Sequence, residues 1–103
     1  MKTEISRKEN IINWGKERDL ISYDNRFIQL AKAIEELGEL AKAMIKQDEA
    51  GIKDGLGDCR ITLTILSEQL GYDIDECEEL AYNVIKDRQG KKVNGSFIKN
   101  EDL

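Results

Sequence analysis

The chain has 103 residues, no histidine, no proline and a formal net charge of −5. This length supplies one hydrophobic core, so we expect a single domain over residues 1–103. The lack of histidine excludes imidazole-based zinc sites and Ser-His or Cys-His nucleophile pairs, and the negative charge argues against general affinity for nucleic acid. The many Ala, Leu, Glu and Lys residues are strong helix formers and favour an all-α fold.

Hydrophobic periodicity predicts four helices. They cover about residues 6–21, 25–47, 49–69 and 74–89. The second helix is the most regular, with Asp24 as its N-cap and apolar residues at alternating steps of three and four. Its apolar stripe consists of Phe27, Leu30, Ile34, Leu37, Ala41 and Met44. We therefore expect a four-helix bundle-like subunit with this stripe in its core, and Gly71 at the C′ position of the third helix.

The C-terminal segment after the fourth predicted helix is short and basic. Residues 90–103 are predicted to form a loop or short extended tail, with Asn94-Gly95 as a turn. Residues 83–100 contain five Lys or Arg residues and one Asp, which suggests a basic complement to the acidic body, although basic residues also suit a helix C-terminus.

Cys59 and Cys77 are lone cysteines among apolar neighbours, typical of reduced core thiols. No apolar run has the length of a signal peptide or membrane span, so we expect a soluble, cytoplasmic protein without a membrane partner.

The sequence EELGE occupies residues 35–39 of the second predicted helix. Its three glutamates, Glu35, Glu36 and Glu39, lie within an arc of about 100° away from the apolar stripe. Lys32 lies on the same side and can pair with Glu36 at i,i+4, as on an ordinary solvated face. This motif alone therefore fits either surface charge or half of a metal site.

The sequence DGLGD, residues 54–58, lies on the third predicted helix. The main stripe of that helix has core spacing and consists of Ile52, Leu56, Cys59, Leu63, Leu66 and Leu70. A second stripe on the opposite side runs through Asp54, Asp58, Ile61 and Ile65, so the aspartates are expected to continue a buried face. No Lys or Arg stands three or four residues from either aspartate. Their charge must be compensated from outside the helix, by a cation of another helix or subunit or by a metal ion.

Magnesium fits this requirement because Mg²⁺ prefers carboxylate oxygens and is usually completed by substrate phosphates. Glu36 and Glu39, facing Asp58 and Asp54 on an antiparallel neighbour, would form such a site in a helical bundle. The sequence thus predicts a carboxylate metal site between the second and third helices.

Three glycines lie beside these acids. Gly38, Gly55 and Gly57 each cost about 1 kcal/mol relative to alanine inside a helix. They indicate close helix approach or room for a ligand. The alternative is a local disruption that moves the start of the third helix to near Leu56.

Three stretches of the sequence resemble a known family. EELGELAKA, KDGLGDCRITL and AYNVIKDRQGKKVNGSFIK resemble the MazG-like all-α nucleoside triphosphate pyrophosphohydrolases, relatives of the dimeric dUTPases and dCTPases, especially short single-domain members of the phage type. The resemblance covers about residues 9–99. It implies hydrolysis between the α- and β-phosphates of a nucleoside triphosphate, with Mg²⁺ or alternatively Mn²⁺, in a homodimer or homotetramer.

The resemblance also implies roles for individual residues. The family motif EExxE matches Glu35, Glu36 and Glu39, and the last acid of its ExxD motif matches Asp58. Glu36, Glu39 and Asp58 are thereby implied as metal ligands and Glu35 as the base that orients or deprotonates water. Together with the basic segment, the resemblance makes Asn83, Lys86, Arg88 and Lys91 candidates for sugar or phosphate contacts, with an exposed basic helix end as the alternative. Apart from the resemblance, Trp14 is a candidate for stacking on a base, and the alternative is the apolar side of an amphipathic first helix.

One position departs from the family pattern. Gly55 stands where the family has glutamate, and Asp54 could substitute for it through a water. If that carboxylate is the missing part, restoring glutamate at position 55 should raise activity. The departure leaves a catalytically weak or inactive nucleotide-binding homologue as one alternative, and a helical oligomerisation or interaction module as another.

Overall fold

The computed structural model describes residues 4–103, which are mostly helical. The helices are α1 (Arg7–Glu17), α2 (Arg26–Ile45), α3 (Glu49–Gln69) and α4 (Ile74–Ile85). They are followed by β1 (Gly90–Val93), β2 (Ser96–Lys99) and a short 3₁₀-helix, Asn100–Asp102. The four predicted helices are confirmed, with a small two-stranded sheet added. Within residues 4–103 no helix is both long and apolar enough to cross a membrane.

Helices α1 and α2 end earlier than predicted because residues other than glycine adopt positive φ. Asp19 has φ 59° and Gln47 has φ 56°, and each stands at the C′ position. A residue in this conformation turns the chain out of the helix. α1 therefore ends at Glu17 rather than near residue 21, and α2 ends at Ile45. Gly71, with φ 83°, occupies the C′ position of α3 as predicted.

The starts of α2 and α3 differ in how well they were predicted. Asp24 was wrong as the N-cap of α2, because it lies inside a 3₁₀ turn, Tyr23–Asn25, that precedes the helix. α3 begins as predicted, since the Asp48 side chain accepts a hydrogen bond from the Gly51 N–H at 3.1 Å. α3 is continuous from Glu49, so the alternative of a disrupted helix around residues 51–57 is wrong.

The predicted tail is an antiparallel hairpin. β1 and β2 are joined by Asn94 and Gly95, with φ of 50° and 86°, the pair of positive values that a two-residue type I′ turn requires. The Gln89 carbonyl accepts from the Asn100 N–H at 3.0 Å. Because Gln89 makes this bond next to the start of β1, the chain has left the helix before it, and α4 ends at Ile85 rather than residue 89.

Helices α2 and α3 form a close antiparallel pair. Near one end, Gln29 Nε2 donates to the Thr62 carbonyl at 3.1 Å. Near the middle, a Cβ added to Gly55 would lie 3.1 Å from the Leu40 Cα. Small residues on the facing sides allow this approach. α1 contacts α3 near buried Gly15, where an added Cβ would lie 3.8 Å from the Ile65 Cδ1. The acidic motifs lie on this close-packed pair.

The predicted apolar stripes face outward in the single chain. Members of both stripes are exposed, including Phe27, Ile34, Leu37, Met44, Leu56 and Leu63. The buried residues of α2 and α3 are instead small or polar: Gln29, Ala33, Ala43, Gly55, Thr62, Thr64, Ile65, Ser67 and Gln69. Assigning these stripes to the core of one chain was therefore wrong, because the faces with small residues permit the closer helix contact.

The bundle is also incomplete in one chain. α4 has no buried residue, so the four-helix bundle prediction is met only in part. Cys59 is half-buried but Cys77, on α4, is exposed, so placing both thiols in the core was wrong. The radius of gyration is 17.0 Å, against about 13 Å for a compact chain of this length. The accessible surface is 8457 Å², against about 5,900 Å² for a compact monomer of this mass.

Candidate metal centre

The EELGE and DGLGD motifs meet between α2 and α3. Glu36 and Glu39 on α2 and Asp54 and Asp58 on α3 line one cavity of about 360 Å³. The antiparallel packing brings them together, since residues 40–53 form the end of α2, the turn and the start of α3. The four carboxylates predicted for the metal site therefore share one cavity, which we call the acid cavity.

Gly55 lies in the wall of the acid cavity and sets the distance between the helices. A Cβ there would lie 3.1 Å from both Cα and Cβ of Leu40, tighter than ordinary carbon contacts. A glutamate at this position would push α2 away from α3. Asp54, one residue earlier, supplies a carboxylate to the cavity instead.

The other two glycines have no such role. A Cβ added to Gly38 or Gly57 would meet no atom within 4 Å. The expectation of close helix approach is therefore right for Gly55 alone.

The surroundings of Asp58 disfavour its ionised form. Its pKa is raised from the ordinary value of 3.8, first by burial and then by the charges of Asp54 and Glu36, while Lys32 opposes the rise. Within residues 4–103, Lys32 is the cation in ion-pair contact with an acid-cavity carboxylate, with Nζ 3.3 Å from Glu36 Oε1. Burial and the neighbouring carboxylates thus disfavour ionised Asp58, and a cation beside it would stabilise that form.

The donor set suits a hard divalent cation. Carboxylate oxygens are the ligands that Mg²⁺ prefers, and the raised pKa of Asp58 shows that added positive charge would be favourable there. With the side chains as they stand, no three acidic or thiol groups of residues 4–103 are close enough to hold one ion. Ligation of one ion by three of these carboxylates would therefore require side-chain rotations of Glu36, Glu39, Asp54 or Asp58, whereas one or two carboxylates suffice when water and phosphate oxygens complete the shell.

Two further cations line the acid cavity. Lys42 is on α2 and Lys46 is the C-cap residue of that helix, and both line the cavity together with Glu39. The motif resemblance does not single them out, but the sequence carries a signal for them. They follow Glu39 at i+3 and i+7, which places them on its helical face.

Glu35, predicted as the catalytic base, lies outside the acid cavity. Its carboxylate is mostly exposed and lies 3.9 Å from the Lys32 Nζ. It is therefore at the rim, next to Glu36 along the helix but turned from the cavity.

The predicted nucleotide contacts are also outside the acid cavity. Trp14 is on α1, where the Arg18 guanidinium lies 4.3 Å from its ring centroid. Four other candidates lie on or after α4: Asn83, Lys86, Arg88 and Lys91. They are exposed, and none of them lines the cavity. A single chain does not bring them to the carboxylates.

Comparison with known proteins finds a phage relative. The chain is 36% identical over 61 residues to a protein described as "Uncharacterized 18.2 kDa protein in rep-hol intergenic region" of Haemophilus phage HP1 (strain HP1c1). The match covers 59% of this chain and 37% of that protein, so the chain spans little more than a third of the relative's length. No family model matches the chain, and no solved structure matches it significantly. The MazG-like resemblance thus stays a prediction from the motifs.

Proposed function

We propose that this chain is a Mg²⁺-dependent, MazG-like nucleoside triphosphate pyrophosphohydrolase that acts in the cytoplasm. The reaction consumes one water and splits the α–β anhydride, so that NTP or dNTP gives the monophosphate and pyrophosphate. The observation that carries the proposal is the acid cavity, where carboxylates from two separate motifs converge. A Mg²⁺ ion bound together with the phosphates would supply positive charge to these carboxylates.

Each side chain has a proposed task in this reaction. When bound, Mg²⁺ would neutralise phosphate charge and lower the pKa of the attacking water. Glu36, Glu39 and Asp58 are the proposed ligands, with Asp54 as the carboxylate that replaces the one absent at position 55. Glu35 is proposed to turn inward from the rim and accept the proton of the water.

The lysines of the acid cavity complete the phosphate site. Lys42 and Lys46 line the same wall as Glu39. A lysine ammonium binds phosphate as a point charge. We propose that they hold the β- and γ-phosphates, which become the pyrophosphate product.

We further propose a homodimer or homotetramer. The accessible surface exceeds that of a compact monomer by about 2,500 Å², whereas a standard interface needs about 800 Å² from each partner. The exposed stripes of α2 and α3 are apolar enough to supply such an interface. Association would also allow Asn83, Lys86, Arg88, Lys91 and Trp14 of one copy to reach the acid cavity of another.

A nucleotide-binding protein without turnover is the second candidate. It is favoured by Gly55, whose packing against Leu40 excludes the glutamate of the family pattern. A helical interaction module is the third candidate, favoured by the exposed apolar stripes.

A nucleotide panel separates these candidates. Canonical and modified NTPs and dNTPs are incubated with Mg²⁺ or Mn²⁺, and pyrophosphate and monophosphate are followed. Asp58→Ala and Glu39→Ala should abolish turnover with unchanged helicity. Glu49→Ala is the matched control, because Glu49 is exposed, pairs with Lys53 and lies outside the acid cavity.

The outcomes differ by candidate. Turnover by the wild-type protein that is lost in both Asp58→Ala and Glu39→Ala supports the hydrolase. Nucleotide binding without turnover supports the second candidate. If neither metal nor nucleotide binds, both nucleotide functions are wrong and the interaction module remains.

A further inference from the structure

Lys32 holds a special position among the lysines of α2. Its Nζ lies 3.3 Å from Glu36 Oε1 and 3.9 Å from Glu35 Oε2. Glu36 is the less accessible partner, with a side chain that is 16% exposed. Lys32 therefore places one positive charge against an oxygen that lines the acid cavity.

This contact differs from an ordinary helix surface pair. In i,i+4 pairs the favourable order has glutamate N-terminal to lysine, as in Glu49 and Lys53, whose side chains are 84% and 75% exposed. Lys32 and Glu36 have the reverse order, and Glu36 is largely covered. Helix stabilisation thus explains the Lys53 pair better than the Lys32 pair.

The charges around Lys32 provide another reason for its position. Its charge also acts favourably on ionised Asp58, across the helix pair, against the repulsion of Asp54 and Glu36. One ammonium therefore serves carboxylates of both α2 and α3. Without a metal ion it partly neutralises the acid cavity.

A divalent cation would compete with this ammonium. An ion that binds the Glu36 carboxylate takes over the charge compensation that Lys32 provides, and the two cations repel each other. The four-carbon stem of lysine is flexible and the Lys32 side chain is half exposed, so the ammonium is free to swing away. Nucleotide phosphates arriving with the metal would offer it a new anionic partner.

We propose that Lys32 is the resident counter-cation of Glu36 in the acid cavity, which weakens binding of a free divalent cation there and contacts the nucleotide phosphates once the metal–nucleotide complex has bound. This inference rests on the proposed nucleotide function. Lys32 belongs neither to the acidic motifs nor to the residues that line the cavity, so neither of these indicates a binding role for it.

The test measures metal affinity without nucleotide. Mn²⁺ binding to the full chain is titrated by the electron paramagnetic resonance signal of the free ion, for wild type, Lys32→Met, Lys32→Gln and Lys32→Arg. Both neutral variants should bind Mn²⁺ about fivefold more tightly, the effect of losing an opposing interaction of about 1 kcal/mol. Lys32→Arg should keep the wild-type affinity because it keeps the charge. Lys53→Met, which removes the exposed pair on α3, should change nothing.

The second measurement adds a nucleotide. With saturating Mg²⁺, affinity for a non-hydrolysable α,β-methylene triphosphate should fall about fivefold in Lys32→Met and Lys32→Gln, because a phosphate contact is lost. Unchanged or weaker Mn²⁺ binding in both neutral variants, or unchanged analogue binding, would overturn the role of Lys32 while wild-type binding still supports the proposed function. If wild type binds neither Mn²⁺ nor the analogue, the proposed function fails and this inference fails with it.

Discussion

Replacing Gly55 by alanine should destabilise the protein, although alanine is the better helix former. The new Cβ would lie 3.1 Å from the Leu40 Cα and Cβ, inside the optimum of about 3.5–4.0 Å for two carbons. The change gains about 1 kcal/mol of helix propensity, while overpacking typically costs about 1–3 kcal/mol. Because the Leu40 Cα belongs to the backbone and cannot rotate away, we expect a net loss of about 1 kcal/mol.

Gly57 supplies the matched control on the same helix. A Cβ there meets no atom within 4 Å, so Gly57→Ala should stabilise by up to about 1 kcal/mol. Urea unfolding followed by far-UV circular dichroism measures both variants, at one protein concentration because assembly would couple to stability. In thermal unfolding, 1 kcal/mol corresponds to about 4–8 °C for a domain of this size.

Equal stabilisation by the two alanines would refute the reasoning. It would mean that α2 and α3 can separate at little cost, and that packing does not account for the missing glutamate. The structure also changes the expectation for Gly55→Glu. A larger side chain at 3.1 Å from Leu40 should lower stability and should not raise activity.

Three further changes probe other parts of the molecule. Asp58→Asn should raise the unfolding midpoint at pH 7 without metal. Burial, Asp54 and Glu36 raise the pKa of Asp58, so its ionised form destabilises the folded state. The difference from wild type should shrink as pH falls through that raised pKa towards 3.8, because the wild-type carboxyl then becomes neutral too. A gain independent of pH would contradict this. Lys8→Met removes bonds of 2.9 and 2.8 Å to Asp73 and Asp75, so hydrogen exchange should accelerate in the first turn of α4, and unchanged protection would show that the pair is dispensable. Leu37→Asp, in the exposed stripe of α2, should shift the sedimentation coefficient to that of a monomer, whereas a wild-type monomer would refute the proposed assembly.

Local signals in the sequence predicted several parts of the fold. The end of α3 follows from Gly71 at its C′ position, and its predicted start agrees with the N-cap that the structure shows at Asp48. The hairpin turn follows from Asn94-Gly95, although the strands on either side were too short and too polar to be recognised. Asp19 and Gln47 end helices with positive φ. Only a few per cent of non-glycine residues adopt this conformation, although Asp does so more often than most, so neither residue by itself marked a helix end in the sequence.

The orientation of α2 could not be read from periodicity. A stripe such as Ile34 and Leu37 indicates burial, but does not distinguish burial inside one chain from burial between chains. The opposite face, with Ala33 and Ala43, packs on α3 because its small side chains permit close approach. Because this face of α2, rather than the apolar stripe, packs on α3, Glu36 lies in the acid cavity and not on a solvated face.

The acid cavity itself was largely predictable. Asp54 and Asp58 lack a cation on their own helix, and two helices joined by a short turn place Glu36 and Glu39 opposite them. The role of Gly55 was not predictable, because it depends on a distance to Leu40 across the helix pair.

The central claim is that the acid cavity binds a divalent cation together with a nucleotide. A crystal of the full chain grown with Mn²⁺ and an α,β-methylene nucleoside triphosphate tests it through the anomalous scattering of manganese. We expect an anomalous peak among the carboxylates of Glu36, Glu39 and Asp58, next to the triphosphate. A nucleotide complex with no peak there, or with its peak elsewhere on the protein, would contradict the account.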